Sequence, residues 1–264
     1  MEDFDERGFL GIQAESFREG IVKKYGEWFD LCHEINSFAQ KAKFELVIHN
    51  MDGQEVICSC LFLRILNGFQ SCLILARYGL VLEAEVLARS ILEGLFIMRA
   101  CINDEGFLRE YLKSDELRRL SIMKASRKYS EWVFQATREI ATEENIRELE
   151  EKRKNKEIKE VNKREASKKA GLEYLYDSIY QLLSDSVHCT ARSLEDFVET
   201  DKAGRIKRIS MLPLDIKLDM VFIAAGQVMF LAMESIFKLF DLEKQKELQP
   251  LGLRFQKLVE AESR

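Results

Sequence analysis

Proline is almost missing from this chain, whose 264 residues contain two, Pro213 and Pro250. With so few obligatory breakers, and hardly any apolar–polar alternation bounded by turn residues, the pattern argues against a sheet-based architecture and for long helices. Histidine is nearly as scarce, at three residues. There is no Gly-rich phosphate loop and no H-E-x-x-H pair, so neither a P-loop nor a zincin-type metal site is encoded, and no motif implies a cofactor. Charge of one sign does not dominate either: 40 Lys and Arg face 45 Asp and Glu, for a net charge of −5. Such a chain has no global field to draw it to nucleic acid or to an anionic membrane, and any such binding has to be local.

Six cysteines fall at irregular spacing, mostly inside apolar runs, a usage that fits reduced core thiols better than a disulfide framework. Cys58 and Cys60, two apart on an expected helix, point to opposite sides and make poor joint metal ligands. The N-terminal "MEDFDERGFLG" lacks a basic-then-apolar pattern, so the expected location is cytoplasmic. The uncharged apolar run 220–233 is shorter than the roughly 20 residues of a membrane span. It reads as a core helix, with no membrane partner.

What the chain does contain is helical periodicity at length. Phe17, Ile21, Tyr25, Phe29, Cys32, Ile35 and Ala39 are spaced by three and four, which predicts one amphipathic helix over about 11–44. Asp52 and Gly53 supply a turn and start signal for an apolar helix over 56–78. Gly79 interrupts it, and 80–103 is the next helix, so a central antiparallel hairpin with Gly79 at its corner is expected. A further helical stretch begins with Phe107, Leu108, Tyr111 and Leu112 and continues through Trp132, Val133 and Phe134. The segment 138–169 is mostly charged and reads as a solvated helical projection. Helices over 172–198 and 215–242 flank the one clear loop, 199–213. The expected fold is a single all-α domain over 1–264, a multi-helix bundle carrying the 138–169 projection.

Inside the second hairpin helix, Glu85, Arg89 and Glu93 recur every four residues and form a charged stripe on an otherwise apolar element. Arg64 lies fifteen positions before Gly79 and Glu93 fourteen after it. Across an antiparallel pair the two are level, about 20 Å from the turn at 1.5 Å per residue. Arg64, Asn67 and Ser71 therefore form a second polar stripe expected to face the first, since an isolated buried charge costs several kcal/mol. Two readings stay open: a network that only fixes helix register, or a polar pocket between helices in which Arg64 and Asn67 contact a ligand.

In "YLYDSIYQLLSDSVHCTARS" the residues Tyr176, Tyr180, Ser184 and His188 follow at four-residue steps, a column of three hydroxyls and an imidazole. Ser184 and His188 at this spacing suit nucleophile activation, although no third acid is identifiable. His188, Ser184, Arg89 and Glu93 are thus the catalytic candidates, with Tyr176 and Tyr180 as ligand contacts. A structural histidine satisfied by its neighbours is the competing reading. His33 and His49 are expected at the surface. Of two basic groups, Lys152, Arg153, Lys154 and Lys156 are interleaved with glutamates and read as a solvated face. Lys202, Arg205, Lys207 and Arg208 in the loop are the candidates for contacting phosphate or nucleic acid.

"ARYGLVLEAEVLARSILEGLFIM", followed about ninety residues later by "YQLLSDSVHCTARSLE", resembles the uncharacterised bacterial helical family known as domain of unknown function 5677. The shared pattern is a Gly-aromatic turn, an R-S-x-x-E helix and a later S-x-x-x-H helix, here Arg89, Ser90, Glu93, Ser184 and His188. The resemblance implies an all-helical fold and that the two polar constellations belong together; it implies no established activity. The chain is also similar, more weakly, to the higher-eukaryote-and-prokaryote nucleotide-binding (HEPN) helical bundles, many of them RNases in toxin and antiphage systems. That pattern places an Arg four to six residues before its His. Here Leu182 and Leu183 stand in that window and Arg192 follows instead. The leading expectation is a cytoplasmic bacterial interaction or sensing module with a polar pocket between core helices, in a stress or phage-defence setting. Its partner would be a protein, a small ligand or a second copy of the chain. The alternative is a metal-independent hydrolase or RNase of HEPN type using His188.

Overall fold

Helix-forming sequence and scarce breakers give, among the described residues, helices and one small hairpin. A computed structural model describes residues 2–188, 190–209, 213–214 and 216–262. In chain order come α1 (Glu2–Arg7), α2 (Gln13–Lys24), α3 (Gly26–Ala42), α4 (Gly53–Arg77), α5 (Val81–Asn103), α6 (Glu105–Lys128), α7 (Gln135–Ile140) and α8 (Glu143–Lys154). They are followed by α9 (Lys163–Lys169), α10 (Glu173–Asp177), α11 (Ile179–Val187), the strands β1 (Val198–Thr200) and β2 (Ile206–Ile209), α12 (Leu218–Leu239) and α13 (Gln245–Glu262).

The centre is the α4–α5 hairpin with α12 packed against both of its helices. Asp52 caps α4 by accepting from the Gln54 and Glu55 amides at 2.9 and 3.0 Å, which satisfies donors that the first helical turn leaves open. At the corner Gly79 adopts φ +69°, and the Leu80 amide closes back onto the Leu75 carbonyl at 3.1 Å, a glycine-dependent helix stop. The two helices then interlock. Ile91 fills the space beside Gly68, and Ile65 lies 3.3 Å from where a Gly94 Cβ would stand. Each glycine accepts the isoleucine of the opposite helix, so the backbones approach closely there, while near the open end of the hairpin Gln54 Nε2 of α4 donates to the Cys101 carbonyl of α5 at 2.7 Å. Phe62, Phe69 and Phe96 of the hairpin and Phe222 and Phe237 of α12 are fully buried in one core.

Several expected elements differ. The single helix over 11–44 is interrupted at Tyr25 (φ −108°, ψ 28°) into α2 and α3. Trp132 and Val133 do not extend a buried helix: α6 ends at Lys128, and these two side chains are 85% and 61% exposed. The loop 199–213 contains β1 and β2, which pair antiparallel. Asp201 accepts from the Ala203 and Arg205 amides at 2.8 and 3.0 Å and Gly204 takes φ +75°, which supplies the hairpin turn. Asp215, the expected start of the last helix, and Cys189, one of the six expected thiols, lie outside the described residues. After α12 a further helix, α13, covers α12 and α3 through Leu248, Phe255 and Leu258. Both α4 and α12 are long and apolar enough to cross a membrane, so the run 220–233 belongs to a helix of sufficient length. In this fold both are core helices.

The charged segment 138–169 divides into two parts. Its first part, with α8, lies along α6 outside the core, tied by Lys124–Glu150 at 2.5 Å and Lys152–Glu116 at 3.2 Å. Its last part does not project: α9 packs on α5, with Ala166, Ser167 and Ala170 fully buried. A face of small side chains permits that close approach although the average composition is polar.

Candidate functional site

The stripe on α5 turns away from α4, because the glycine–isoleucine contacts occupy the α4–α5 seam, and it meets α9 and α11 instead. Arg89 Nη2 donates to Tyr180 Oη at 2.7 Å, and that hydroxyl donates to Glu93 Oε1 at 3.0 Å. Arg89 and Glu93 are also 3.5 Å apart, and Lys163 Nζ reaches Glu93 Oε2 at 3.3 Å. Burial, and then the Glu93 carboxylate, push the Tyr180 phenol above its ordinary range, so it is a neutral donor to that carboxylate. The ladder continues through aromatic stacking. The guanidinium of Arg89 lies 4.5 Å from the Tyr180 ring centroid, Tyr180 and Tyr176 stack at 4.7 Å, and Arg164 lies 5.8 Å from Tyr176.

A break in the helix makes this possible. Ser178, at φ −118° and ψ −95°, separates α10 from α11, so Tyr176 and Tyr180 stack instead of standing one turn apart on a continuous column. One turn along α5 toward its start, Ser186 Oγ donates to Glu85. Burial raises the Glu85 carboxyl above the ordinary range, against the lowering effects of the Ser186 bond and nearby Lys217.

The remaining sequence candidates are elsewhere. Arg64 and Asn67 are exposed on α4 and do not meet Glu93. The expected level is right, since Ile65 abuts Gly94, but the expected face is wrong, and Lys163 takes the partnership assigned to Arg64. Ser184 Oγ donates to the Tyr180 carbonyl at 2.6 Å, within its own helix, and not to His188. His188 is exposed at the end of α11, roughly 12 Å along the helix from Tyr180 at 1.5 Å per residue. Its ring meets no hydrogen-bond partner among the described residues. Arg205 and Arg208 are engaged by Asp201 and Glu199 at 2.9 and 2.6 Å, which leaves Lys202 and Lys207 as the exposed cations of that group without an ion pair among the described residues.

Two features were not anticipated. Lys163 and Arg164, at the start of α9, were absorbed into a solvated charge run, although Asn162 caps that helix through the Arg164 and Glu165 amides and an Asn before a charged turn is a legible start signal. The second is a cleft of about 1170 Å³ bounded by α5, α6 and the stretch 153–163, with Ile57, Ile97 and Tyr111 on its inner side and Lys163 at its edge. Lys163 thus belongs to both the cleft and the Arg89–Tyr180–Glu93 cluster. Among the described residues there is no group of three His, Cys, Asp or Glu placed to hold a metal. The thiols of Cys32, Cys58, Cys72 and Cys101 are pushed up to about 12, chiefly by burial, and are not thiolates at neutral pH.

No curated protein and no solved structure shows significant similarity to the chain. A family model does match, over residues 55–205, from the start of α4 to the β1–β2 turn, a span that holds the whole polar cluster and the lining of the cleft. That model describes a family of unknown function (DUF5677), and the chain belongs to it.

Proposed function

We propose that the chain is a cytoplasmic helical sensing module in which the cleft between α5, α6 and the 153–163 stretch receives a ligand and Lys163 passes its occupancy to α9–α11. The observation that carries this reading is the double position of Lys163, which edges the cleft and pairs with Glu93 at 3.3 Å. A group entering the cleft competes with Glu93 for the Lys163 ammonium. Glu93 in turn holds Tyr180, and Tyr180 holds α11 to Arg89, through hydrogen bonds strengthened by charge. Supporting this reading over a metal-independent hydrolase or RNase is the separation of His188 from Arg89 and Glu93. A bacterial stress or phage-defence setting is supported by the resemblance to HEPN bundles alone.

The test needs no ligand. Lys163→Met removes the charge and keeps most of the stem, and amide hydrogen exchange then reports where helices loosen. Faster exchange confined to 163–187, with α4 and α12 unchanged, is the expected result. Exchange identical to wild type, or loosening of all helices together, would overturn the coupling.

A further inference from the structure

We infer that the cleft takes a small, soluble organic anion, with a phosphate or carboxylate carried on an apolar or aromatic body. This deepens the reading above and rests on its assignment of the cleft as the receiving site. The inner side offers the apolar part: Ile97 and Ile158 are buried, and Ile57, Tyr111 and Val161 are half-buried beside them. The phenol of Tyr111 meets no hydrogen-bond partner among the described residues, so a donor stands ready on the apolar side. The rim offers the charge. Among the cations there, Arg119 is committed to Asp115 at 2.6 Å, Lys159 to Glu110 at 3.1 Å and Lys163 to Glu93 at 3.3 Å. Arg118 on α6 and Arg153 on α8 line the same cleft from two helices, and neither has an ion-pair partner among the described residues. Two uncommitted guanidinium groups facing one space suit bidentate capture of a phosphate or carboxylate. Glu160, also on the rim, offsets one charge and disfavours polyanions, which selects a compact anion over an extended one.

The cleft is somewhat larger than the roughly 300–1,000 Å³ that small-molecule sites commonly span, and at about 1170 Å³ it accommodates such a molecule with water. Calorimetry on the full chain with 1-naphthyl phosphate tests the proposal, with 1-naphthol and inorganic phosphate as the two halves of the probe. Naphthyl phosphate is expected to bind at least about tenfold tighter than either half. Arg118→Gln combined with Arg153→Gln should weaken it by at least about tenfold without moving the thermal midpoint, because both side chains are exposed. Binding that is undetectable at millimolar probe, or equally tight in the double variant, would overturn the inference. Vesicles of phosphatidic acid in phosphatidylcholine separate a bilayer source from a soluble one. Co-sedimentation that depends on the two arginines would overturn the soluble-ligand assignment, and its absence alongside naphthyl phosphate binding supports it. Hydrogen exchange recorded in the same titration keeps the two readings apart: arginine-dependent binding with unchanged exchange in α9–α11 leaves the ligand class standing and removes the coupling through Lys163.

Discussion

Arg89 holds Tyr180 in two ways at once, donating to its hydroxyl at 2.7 Å while the guanidinium carbon lies 4.5 Å from the ring centroid. A planar guanidinium can stack and donate from its edge together, and an ammonium cannot. The pair joins α5 to α11 and, with the Lys163–Glu93 and Ser186–Glu85 contacts, fastens the terminal part of the 138–187 region to the core.

The first prediction follows from that fastening. The side chains of Arg89 and Glu93 are 13% and 25% exposed, so their pairing is less costly to break than the roughly 3–5 kcal/mol of a fully buried pair. Glu93 also keeps Tyr180 and Lys163 as partners. Arg89→Ala is expected to cost about 2 kcal/mol, and Arg89→Lys about 1 kcal/mol through loss of the fork and the stack. A urea melt of both variants checks this. An alanine variant as stable as wild type would mean that the clasp contributes nothing.

Much of the fold was readable because helix periodicity and breakers are local properties. Gly79 announced the hairpin corner, and the charged stripe on α5 announced a polar contact. The partner of the stripe was not readable. Level along an antiparallel pair follows from counting residues, whereas face depends on what fills the seam, and the interlock of Gly68 with Ile91 and of Ile65 with Gly94 turned Arg64 outward. Lys163 was hidden for a different reason: Ala166, Ser167 and Ala170 bury α9 through shape rather than hydrophobicity, which composition does not register. The helix α13 did carry a signal, Leu248, Leu251, Phe255 and Leu258 at helical spacing, but Pro250 lies within it and reads as a stop. Spacing does put Tyr180, Ser184 and His188 in register on α11, but it does not show where that helix ends: α11 stops at Val187, which leaves the imidazole at its exposed end.

Glu85 supplies the second prediction, one of pH dependence. Its carboxyl is raised in the folded state, first by burial. Between the ordinary carboxylate range and that raised value the native protein holds more protons than the unfolded chain, so this group's contribution makes stability fall as pH rises through the window. Glu85→Gln removes the charge and still offers an acceptor to Ser186 Oγ. The variant should therefore melt at or above the wild-type midpoint at neutral pH, with a flatter profile across mildly acid pH. A variant clearly less stable at neutral pH would show that the charge is stabilising where it sits.

The third prediction concerns the two glycines that set the hairpin. A Cβ at Gly79 would lie 2.7 Å from the Leu214 carbonyl oxygen, at a φ of +69° that side chains rarely adopt. Gly79→Ala is expected to cost about 2 kcal/mol or more, through strain and clash together. At Gly68 the backbone is ordinary helix and the obstruction is the side chain of Ile91. The Gly68→Ala cost should therefore depend on Ile91, and a double-mutant cycle with Ile91→Ala should return a coupling of about 1 kcal/mol or more. Simple additivity would place the obstruction elsewhere.

His188 decides most directly between a binding module and a hydrolase. The imidazole is exposed and the groups it would need, Arg89 and Glu93, are occupied by Tyr180 and Lys163. His188→Ala should therefore change stability by less than about 0.5 kcal/mol, as surface substitutions do. Tyr180→Phe, which removes the hydroxyl shared by Arg89 and Glu93, should cost about 1–2 kcal/mol. Affinity for 1-naphthyl phosphate should stay within about twofold of wild type in His188→Ala, a difference of only about 0.4 kcal/mol, because the imidazole is not part of the cleft lining. Thermal melts and calorimetry on the two variants side by side make the comparison. If His188→Ala alone abolished ligand affinity, or destabilised the protein as much as Tyr180→Phe, the histidine would have to reach the α5 cluster in a second conformation, and acid–base chemistry there would become the better account.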